Sequence, residues 1–189
     1  MRFTPLAKAL GTALACATLL GALPARAQDK PAELKIGIST FTSGAASVFG
    51  VPGKAAAELL IDEMNAKGGI GGVKVVPTFI DEGIGGDKLL SENRRQVQEQ
   101  GVKTMLSAIS SGNCNIVAPV AEDLKVLNVM WDCGTEKILE SKRYKYVVRT
   151  QANATTEMVA TVLYLLKTRP NFNSIAVVNQ DYAWGRDSW

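Results

Sequence analysis

Histidine is absent from the 189 residues, and its absence excludes two kinds of site. A Ser-His-Asp triad uses the imidazole of histidine as its base, and a histidine-based metal site uses the same group as a ligand. Neither can be assembled within this chain. The sequence therefore indicates no hydrolase of the triad type, and it gives no pattern that calls for a metal or another cofactor.

An excess of basic residues is also missing once the first 27 residues are set apart. The chain has 21 Lys and Arg residues against 18 Asp and Glu residues. Arg2, Lys8 and Arg26 precede every acidic residue, and setting these three aside leaves 18 basic residues against 18 acidic ones. Because no basic stripe with interleaved aromatic residues remains, nucleic acid is not expected as a partner.

The apolar segment at residues 9–23 is shorter than the roughly 20 residues that cross a bilayer comfortably. It follows Arg2 and Lys8 and precedes Ala25-Arg26-Ala27, a small-residue cleavage pattern. Residues 1–27 are therefore predicted to be a secretory signal peptide, which places the mature protein in the periplasm. Cys16 lies inside the apolar core, where lipid attachment would cut that core in half, so we favour export without lipidation.

Cysteine is scarce in the predicted mature chain, where only Cys114 and Cys133 remain, 19 positions apart. Disulfides persist in oxidising compartments, and one between these residues would contribute about 3 kcal/mol by loop entropy. Two half-buried free thiols are the alternative. The sequence does not decide between them, because it does not show whether the two Cα atoms come within reach.

Apolar strands alternate with amphipathic helices along the predicted mature chain, as in an α/β fold with parallel strands. The predicted strands are 34–39, 73–80, 105–109, 126–131, 146–149 and 174–179. The predicted helices are 53–65, 87–100, 113–124 and 156–167, with a short helical turn at 136–141. The sequence becomes more polar near residues 150–153, where a second set of predicted helices and strands begins.

Two loops rich in hydroxyl groups, amides and glycine are expected at the same edge of the sheet. They are residues 110–114, after one strand, and residues 132–135, after the next. Because a strand–helix–strand crossover is right-handed, both loops emerge at the carboxyl edge, where open parallel sheets bind ligands. Asp81 and Glu82 follow another strand; an acid pair for catalysis is one interpretation, and a solvated strand-end turn is the one we favour.

The order of these features resembles the substrate-binding proteins of branched-chain amino acid ABC transporters, the leucine/isoleucine/valine-binding family. The matching pieces are KIGIST, NAKGGIGGVKVVPTFIDE, the SAISSGN loop, PVAEDLKVLNVMWDCGT, YVVRTQAN and IAVVNQDYAWG. The resemblance implies an α/β, two-lobed type I periplasmic-binding fold with parallel sheets flanked by helices, closing on a small ligand. We expect residues 28–150 to form the first lobe and residues 151–189 to begin a second lobe that is incomplete in this chain.

The resemblance also implies a set of ligand-binding residues. Ser110 and Ser111 lie where the family holds a ligand carboxylate, next to the start of a helix whose free N–H groups favour an anion. Cys133 and Thr135 match positions that contact the groups on the α-carbon of the ligand. Trp184, with Tyr182 close by, matches an aromatic residue of the second lobe that covers the ligand. Ser and Thr caps of helices, and a core position for Trp184, are the alternatives.

Asp132 departs from the family pattern, which usually has a small residue or proline there. Its carboxylate would repel an acid but would pair with an ammonium, amide or hydroxyl group; alternatively, it accepts hydrogen bonds from loop N–H groups. Trp131 and Trp184 together indicate an aromatic or flat ligand. The acid with which the family binds an ammonium group belongs to a part of the second lobe that this chain lacks.

The sequence thus predicts a solute-binding protein without catalytic activity. It would capture an amino acid, aromatic acid or amide and deliver it to the membrane permease of an ABC importer, closing about a hinge at residues 150–153. A ligand-sensing domain on the same fold is the alternative. An enzyme with Ser111 as nucleophile and Asp132 as its helper is disfavoured, since no histidine or clearly buried lysine accompanies them.

Overall fold

A computed structural model describes residues 30–107, 109–151 and 153–189. The predicted signal peptide, residues 1–27, lies outside this part of the chain. Residues 31–189 form one compact unit. No helix among the described residues combines the length and the hydrophobicity that crossing a membrane requires.

Five parallel strands form one sheet in the order β2-β1-β3-β4-β5. Their bounds are β1 Glu33–Thr40, β2 Lys74–Asp81, β3 Thr104–Ser107, β4 Leu127–Met130 and β5 Val147–Arg149. Each was predicted to within a few residues, because a parallel strand covered on both faces is a short, nearly continuous apolar run. Strand β2 lies on one side of β1 and β3 on the other, so the strand order reverses at β1. Ligands bind at such a switch point in open α/β sheets.

Six helices connect or follow these strands in the described chain. They are α1 Ser47–Ala66, α2 Gly86–Gln98, α3 Ser111–Leu124, α4 Lys137–Glu140, α5 Ala154–Thr168 and α6 Ala183–Asp187, and a single 3-10 turn covers Glu82–Ile84. Helix α1 begins six residues before the predicted Gly53. The prediction placed the start too late because Gly50 and Pro52 are weak helix formers. In the structure Gly50 lies within the helix and packs against Phe41 so closely that a Cβ would clash with the Phe41 backbone.

Helices cover both faces of the sheet. One apolar cluster joins Ile36 and Ile38 of β1 to Ile61 of α1. A larger cluster on the other face includes Leu89 of α2 and Val117 of α3. Burying two faces leaves the strand ends as the exposed parts of the sheet, and the crevice described below lies at the carboxyl ends.

Glycine turns lead from α1 to β2, as the run at residues 68–72 predicted. Positive φ angles occur at Gly68, Gly69, Gly71 and Gly72. At Gly69 a Cβ would also collide with the backbone of Val73, so a side chain is excluded there both by conformation and by space.

The chain after residue 150 departs most from prediction. Helix α5 forms, and Val159, Val162, Leu163 and Leu166 on its apolar side are 46–61% exposed. Residues 174–179 do not form the predicted strand, and Val178 is fully exposed. A strand requires a paired neighbour, and this segment pairs with no strand of the described chain.

Candidate functional site

Two adjoining cavities lie at the carboxyl edge of the sheet, where the predicted loops meet. The first, of about 300 Å³, lies between the loop after β1 and residues 109–110, and Gln180 and Tyr182 also line it. The second, of about 260 Å³, is enclosed by residues that follow β3, β4 and β5 together with α5 and the chain around α6. Phe49, Ile109 and Tyr182 line both. We call the two cavities together the crevice.

Ser110 and Ser111 both reach the crevice, as predicted. Ser110 lines the first cavity, and Ser111, only 2% exposed overall, lines the second. Helix α3 begins at Ser111 rather than near Asn113, with Ser110 in extended conformation before it. The predicted loop is thus largely the first turn of the helix, so backbone N–H groups of that turn lie beside the cavity.

Glu82 holds this first loop in place, and the prediction of a solvated turn is wrong for it. Its side chain is only 2% exposed, and its carboxylate accepts hydrogen bonds from Ile109 N at 2.9 Å, Ser110 N at 3.3 Å and Asn113 Nδ2 at 3.0 Å. Glu82 reaches these groups from the end of β2, past the end of β1. An acid directly after an apolar strand is the only sequence signal, and it does not distinguish a buried acid from a solvated one.

The electrostatics of the two neighbouring acids differ. Burial raises the pKa of Glu82; its hydrogen bonds partly oppose this, and the charge of Asp132 adds to the increase. At Asp81 desolvation raises the pKa, but hydrogen bonds from Ser43, Gly83 and Thr42 together outweigh it and lower the pKa to about 2. Asp81 therefore closes a local turn, whereas Glu82 supports the crevice.

Cys133 and Thr135 of the second loop do not line either cavity. Both are fully buried, and the Thr135 hydroxyl donates to Asp187 Oδ2 at 2.5 Å. Asp187 also accepts from Glu136 N at 3.2 Å and pairs with Lys137 at 3.1 Å. The Thr135 hydroxyl thus contacts α6 at a residue 52 positions away that no local pattern reveals, and its contact with a ligand stays a prediction.

Arg149 fixes the same loop from the sheet side. Its Nη1 donates to the carbonyl oxygens of Cys133 at 3.3 Å and Thr135 at 2.6 Å. Its Nη2 lies 3.9 Å from Glu136, and only 11% of the arginine side chain is exposed. The guanidinium group is therefore engaged with the protein's own loop, and sequence reasoning had not given it a role.

A disulfide joins Cys114 of α3 to Cys133 of the second loop, with the Cα atoms 6.4 Å apart. Both residues are fully buried among apolar side chains of the larger cluster. The bridge ties the first turn of α3, which begins at Ser111, to the loop that carries Asp132.

Asp132 lines the second cavity and faces other polar groups there. With the Gln151 amide oriented to satisfy both its groups, Nε2 donates to Asp132 Oδ1 at 2.6 Å and Oε1 accepts from Cys133 N at 3.2 Å. Burial raises the pKa of Asp132; the bond from Gln151 opposes this, and the charge of Glu157 adds to it. The predicted bonds from loop N–H groups to Asp132 are thus replaced by a side-chain amide, while Glu157 is a cavity residue that sequence reasoning missed.

Tyr182 and Trp184 form an aromatic wall of the crevice. Their ring centroids are 6.4 Å apart at 31°, and both line the second cavity. The Trp184 indole lies so close to Gly134 that a Cβ there would clash with it. Burial raises the pKa of Tyr182, and the negative charges of Asp132 and Glu157 raise it further, as expected for groups that share a pocket.

Trp131 lies outside the crevice, although the sequence had indicated an aromatic or flat ligand from Trp131 and Trp184 together. Its ring packs against Gly53 of α1, and Nε1 donates to Ser39 O at 3.4 Å. It lines neither cavity of the crevice. The aromatic surface toward a ligand comes instead from Phe49, Tyr182 and Trp184.

This arrangement is suited to enclosing a small molecule. Within residues 30–107, 109–151 and 153–189, no group of three or more Cys, Asp or Glu side chains is placed to hold a metal ion. Ser111 and Asp132 share a cavity, but the chain has no histidine to act as a base between them. What the crevice offers is hydroxyl groups, carboxylates and four aromatic rings around a space of small-molecule size.

Comparisons with known proteins agree with the fold. A family model described as periplasmic binding protein matches residues 33–189. The Leu/Ile/Val-binding protein BraC3 of Rhizobium johnstonii is 30% identical over 172 residues, which are 90% of this chain and 45% of the relative.

Solved structures give the same picture. A solute-binding protein of an ABC transporter from Rhodopseudomonas palustris BisB5, in complex with 3,4-dihydroxybenzoic acid, has a TM-score of 0.74 at 21% identity, covering 84% of this chain and 42% of that one. A substrate-binding protein from Desulfitobacterium hafniense, complexed with Leu, has a TM-score of 0.69 at 17% identity, covering 82% and 44%. The chain thus spans less than half the length of each of these proteins.

Proposed function

Because the chain belongs to the periplasmic binding protein family, we propose that it is an exported solute-binding protein that captures a small molecule in the crevice and delivers it to an ABC importer. The observation that carries this proposal is the crevice itself. Segments after β1, β3, β4 and β5 surround it, and the Tyr182–Trp184 wall closes one side. A pocket assembled from several strand ends at a switch of strand order is a general ligand-binding arrangement.

The proposal includes the organisation of the chain. Residues 1–27 are a signal peptide, residues 28–150 a first lobe, and residues 151–189 the beginning of a second lobe. The hinge is at residues 150–153, where Thr150 still bonds to Met130 of the sheet through its backbone N–H at 3.2 Å. The membrane permease of an importer is the partner. Sequencing the amino terminus of the protein from a periplasmic extract should give Gln28, and an intact Met1 there would contradict export by cleavage.

The ligand classes to test follow from the named relatives and from the crevice. Amino acids are suggested by the Leu/Ile/Val-binding relative, and aromatic acids by the complex with 3,4-dihydroxybenzoic acid. Small amides are suggested by the polar lining. A thermal-shift screen of these three classes on the purified protein should find compounds that raise the melting temperature, since binding at 100 times Kd adds about 2.7 kcal/mol to stability.

The same screen tests the absence of catalysis that we propose. A bound compound should be recovered chemically unchanged after prolonged incubation, as judged by NMR of the ligand. Ser111 is nearly inaccessible, and no imidazole is present to activate it. Turnover of an ester or amide, lost on substitution of Ser111, would contradict the solute-binding proposal.

A further inference from the structure

The charged side chains that line the crevice are all acidic. Asp132 and Glu157, both half-buried, line the second cavity. Among the described residues that line either cavity, none is lysine or arginine. A ligand in the second cavity therefore meets two carboxylates and, among the described residues that line it, no cationic side chain.

Arg149, two residues before Gln151 of the second cavity, does not compensate. Its guanidinium group donates to the carbonyl oxygens of Cys133 and Thr135 and lies beside Glu136. With 11% of its side chain exposed, it is enclosed by the loop that it supports. It stabilises the wall of the crevice rather than the ligand.

The backbone N–H groups that lead into α3 are also engaged with an acid. Ile109 N and Ser110 N, immediately before the first turn of the helix, both donate to Glu82. This buried carboxylate supplies an internal anion to the start of the helix. An incoming carboxylate would meet the negative charges of Glu82 and Asp132 together.

The remaining walls suit a cation. The rings of Phe49, Tyr182 and Trp184 border the same cavity as the two carboxylates. Aromatic faces attract ammonium groups through their quadrupole, and the attraction is strongest where water is excluded. Carboxylates and aromatic rings in one pocket form the combination that recognises organic ammonium ions.

Building on the proposed function, we propose that the ligand of this crevice is a small organic cation whose ammonium group lies between Asp132 and Glu157, against the Tyr182–Trp184 wall. A carboxylic acid of the same size is selected against. Because only the ammonium group and the apolar part of the ligand make the proposed contacts, the ligand needs no carboxylate. A simple arylalkylammonium ion is therefore sufficient for binding.

Three probes of matched shape test the proposal on the purified protein by calorimetry: 2-phenylethylammonium, phenylacetate and 2-phenylethanol. We expect the cation to bind at least about tenfold more tightly than phenylacetate, which corresponds to about 1.4 kcal/mol. Asp132→Asn and Glu157→Gln should each weaken the cation about tenfold and weaken 2-phenylethanol by a clearly smaller factor. Glu99→Gln, an exposed carboxylate just after α2 at the opposite edge, is the matched control and should change neither.

The possible failures are distinguishable. Tighter binding of phenylacetate, or equal affinity for the three probes, would overturn the inference of a cation site and leave solute binding intact. Binding of a carboxylic acid from the broader screen with no binding of the cation would do the same. If no compound of either set binds, both the cation site and the proposed function are contradicted.

Discussion

The two loops that border the crevice are held in different ways. The first, residues 110–114 with Ile109 just before it, is fixed by Glu82, which directly follows β2 of the same sheet. The second, residues 132–135 with Glu136 just after it, is fixed by Arg149 from the sheet and by Asp187 from α6. The first loop is therefore complete within the sheet domain, whereas the second depends on the chain beyond residue 150.

This difference separates a rigid part of the site from a coupled part. Displacing α6 would leave the three hydrogen bonds of Glu82 unchanged, but it would release Thr135 and Glu136 from Asp187. It would also move the Tyr182–Trp184 wall, because Trp184 and Asp187 belong to the same short helix. The Cys114–Cys133 disulfide is the covalent link between the two loops.

Removing that link should have the largest effect. Replacing both cysteines with serine opens a loop of 19 positions and is expected to cost about 3 kcal/mol of stability in urea unfolding. Mass spectrometry of the unreduced protein should first show a two-dalton deficit, because forming the bridge removes two hydrogen atoms. Complete alkylation of both thiols without reduction would show that the loops are not linked.

Substitution at Glu82 should come next, and it tests the rigid loop. Glu82→Ala leaves three partly buried donors without their acceptor, and we expect a loss of about 2 kcal/mol. Glu99→Ala removes an exposed acid and serves as the control, with less than about 0.5 kcal/mol expected. Equal stability of the two variants would mean that Glu82 does not support the loop.

Thr135→Val should have a smaller effect and tests the coupled loop. It removes one hydrogen bond to Asp187 while keeping the side-chain shape, at an expected cost of about 1 kcal/mol. Asp187→Asn should shift the unfolding midpoint in the same direction. If the two sites are coupled, the double variant will lose less than the sum of the single variants; strict additivity would contradict the contact.

The smallest expected effect is a pH dependence of opposite sign at the two anchors. Burial raises the pKa of Glu82 above its ordinary 4.5, so its contribution is fully present below that pH and is lost as pH rises through the folded-state value. Burial also acts to raise the pKa of Asp187, but bonds from Thr135 and Lys137 outweigh it and lower the pKa below 3.8. The contribution of Asp187 is therefore present above 3.8 and lost as pH falls through the folded-state value.

Urea unfolding across pH 3–7 measures these slopes. Glu82→Gln should remove the decline in stability that occurs as pH rises above 4.5. Asp187→Asn should remove the decline that occurs as pH falls below 3.8. If the two variants change the same limb of the pH profile, the assignment of opposite pKa shifts is wrong.

The sequence was sufficient for features that depend on local pattern. Five strands and the helices between them followed from apolar runs such as Met105 and Leu106, since burial on both faces requires such runs. The meeting of two loops at one edge followed from the right-handed crossover alone. Ser110, Ser111 and Asp132 reach the crevice for this reason.

Features that depend on distant partners could not be predicted. The burial of Glu82 is decided by groups 27–31 residues away, and the hydroxyl of Thr135 is taken by Asp187. Residues 174–179 have the composition of a strand but no paired neighbour in the described chain. Apolar pattern indicates which backbone is able to pair, whereas pairing itself is a property of the assembled sheet.

Affinity measured after a bulky substitution at Ser111 tests the central claim, that the crevice binds the solute, most directly. The measurement is calorimetry with the compound that raises the melting temperature most, on the wild type, on Ser111→Leu and on Asn115→Leu, an exposed position of the same helix. Circular dichroism confirms that each variant is folded. We predict that Ser111→Leu abolishes binding and that Asn115→Leu retains wild-type affinity; unchanged affinity in a folded Ser111→Leu protein would contradict the account.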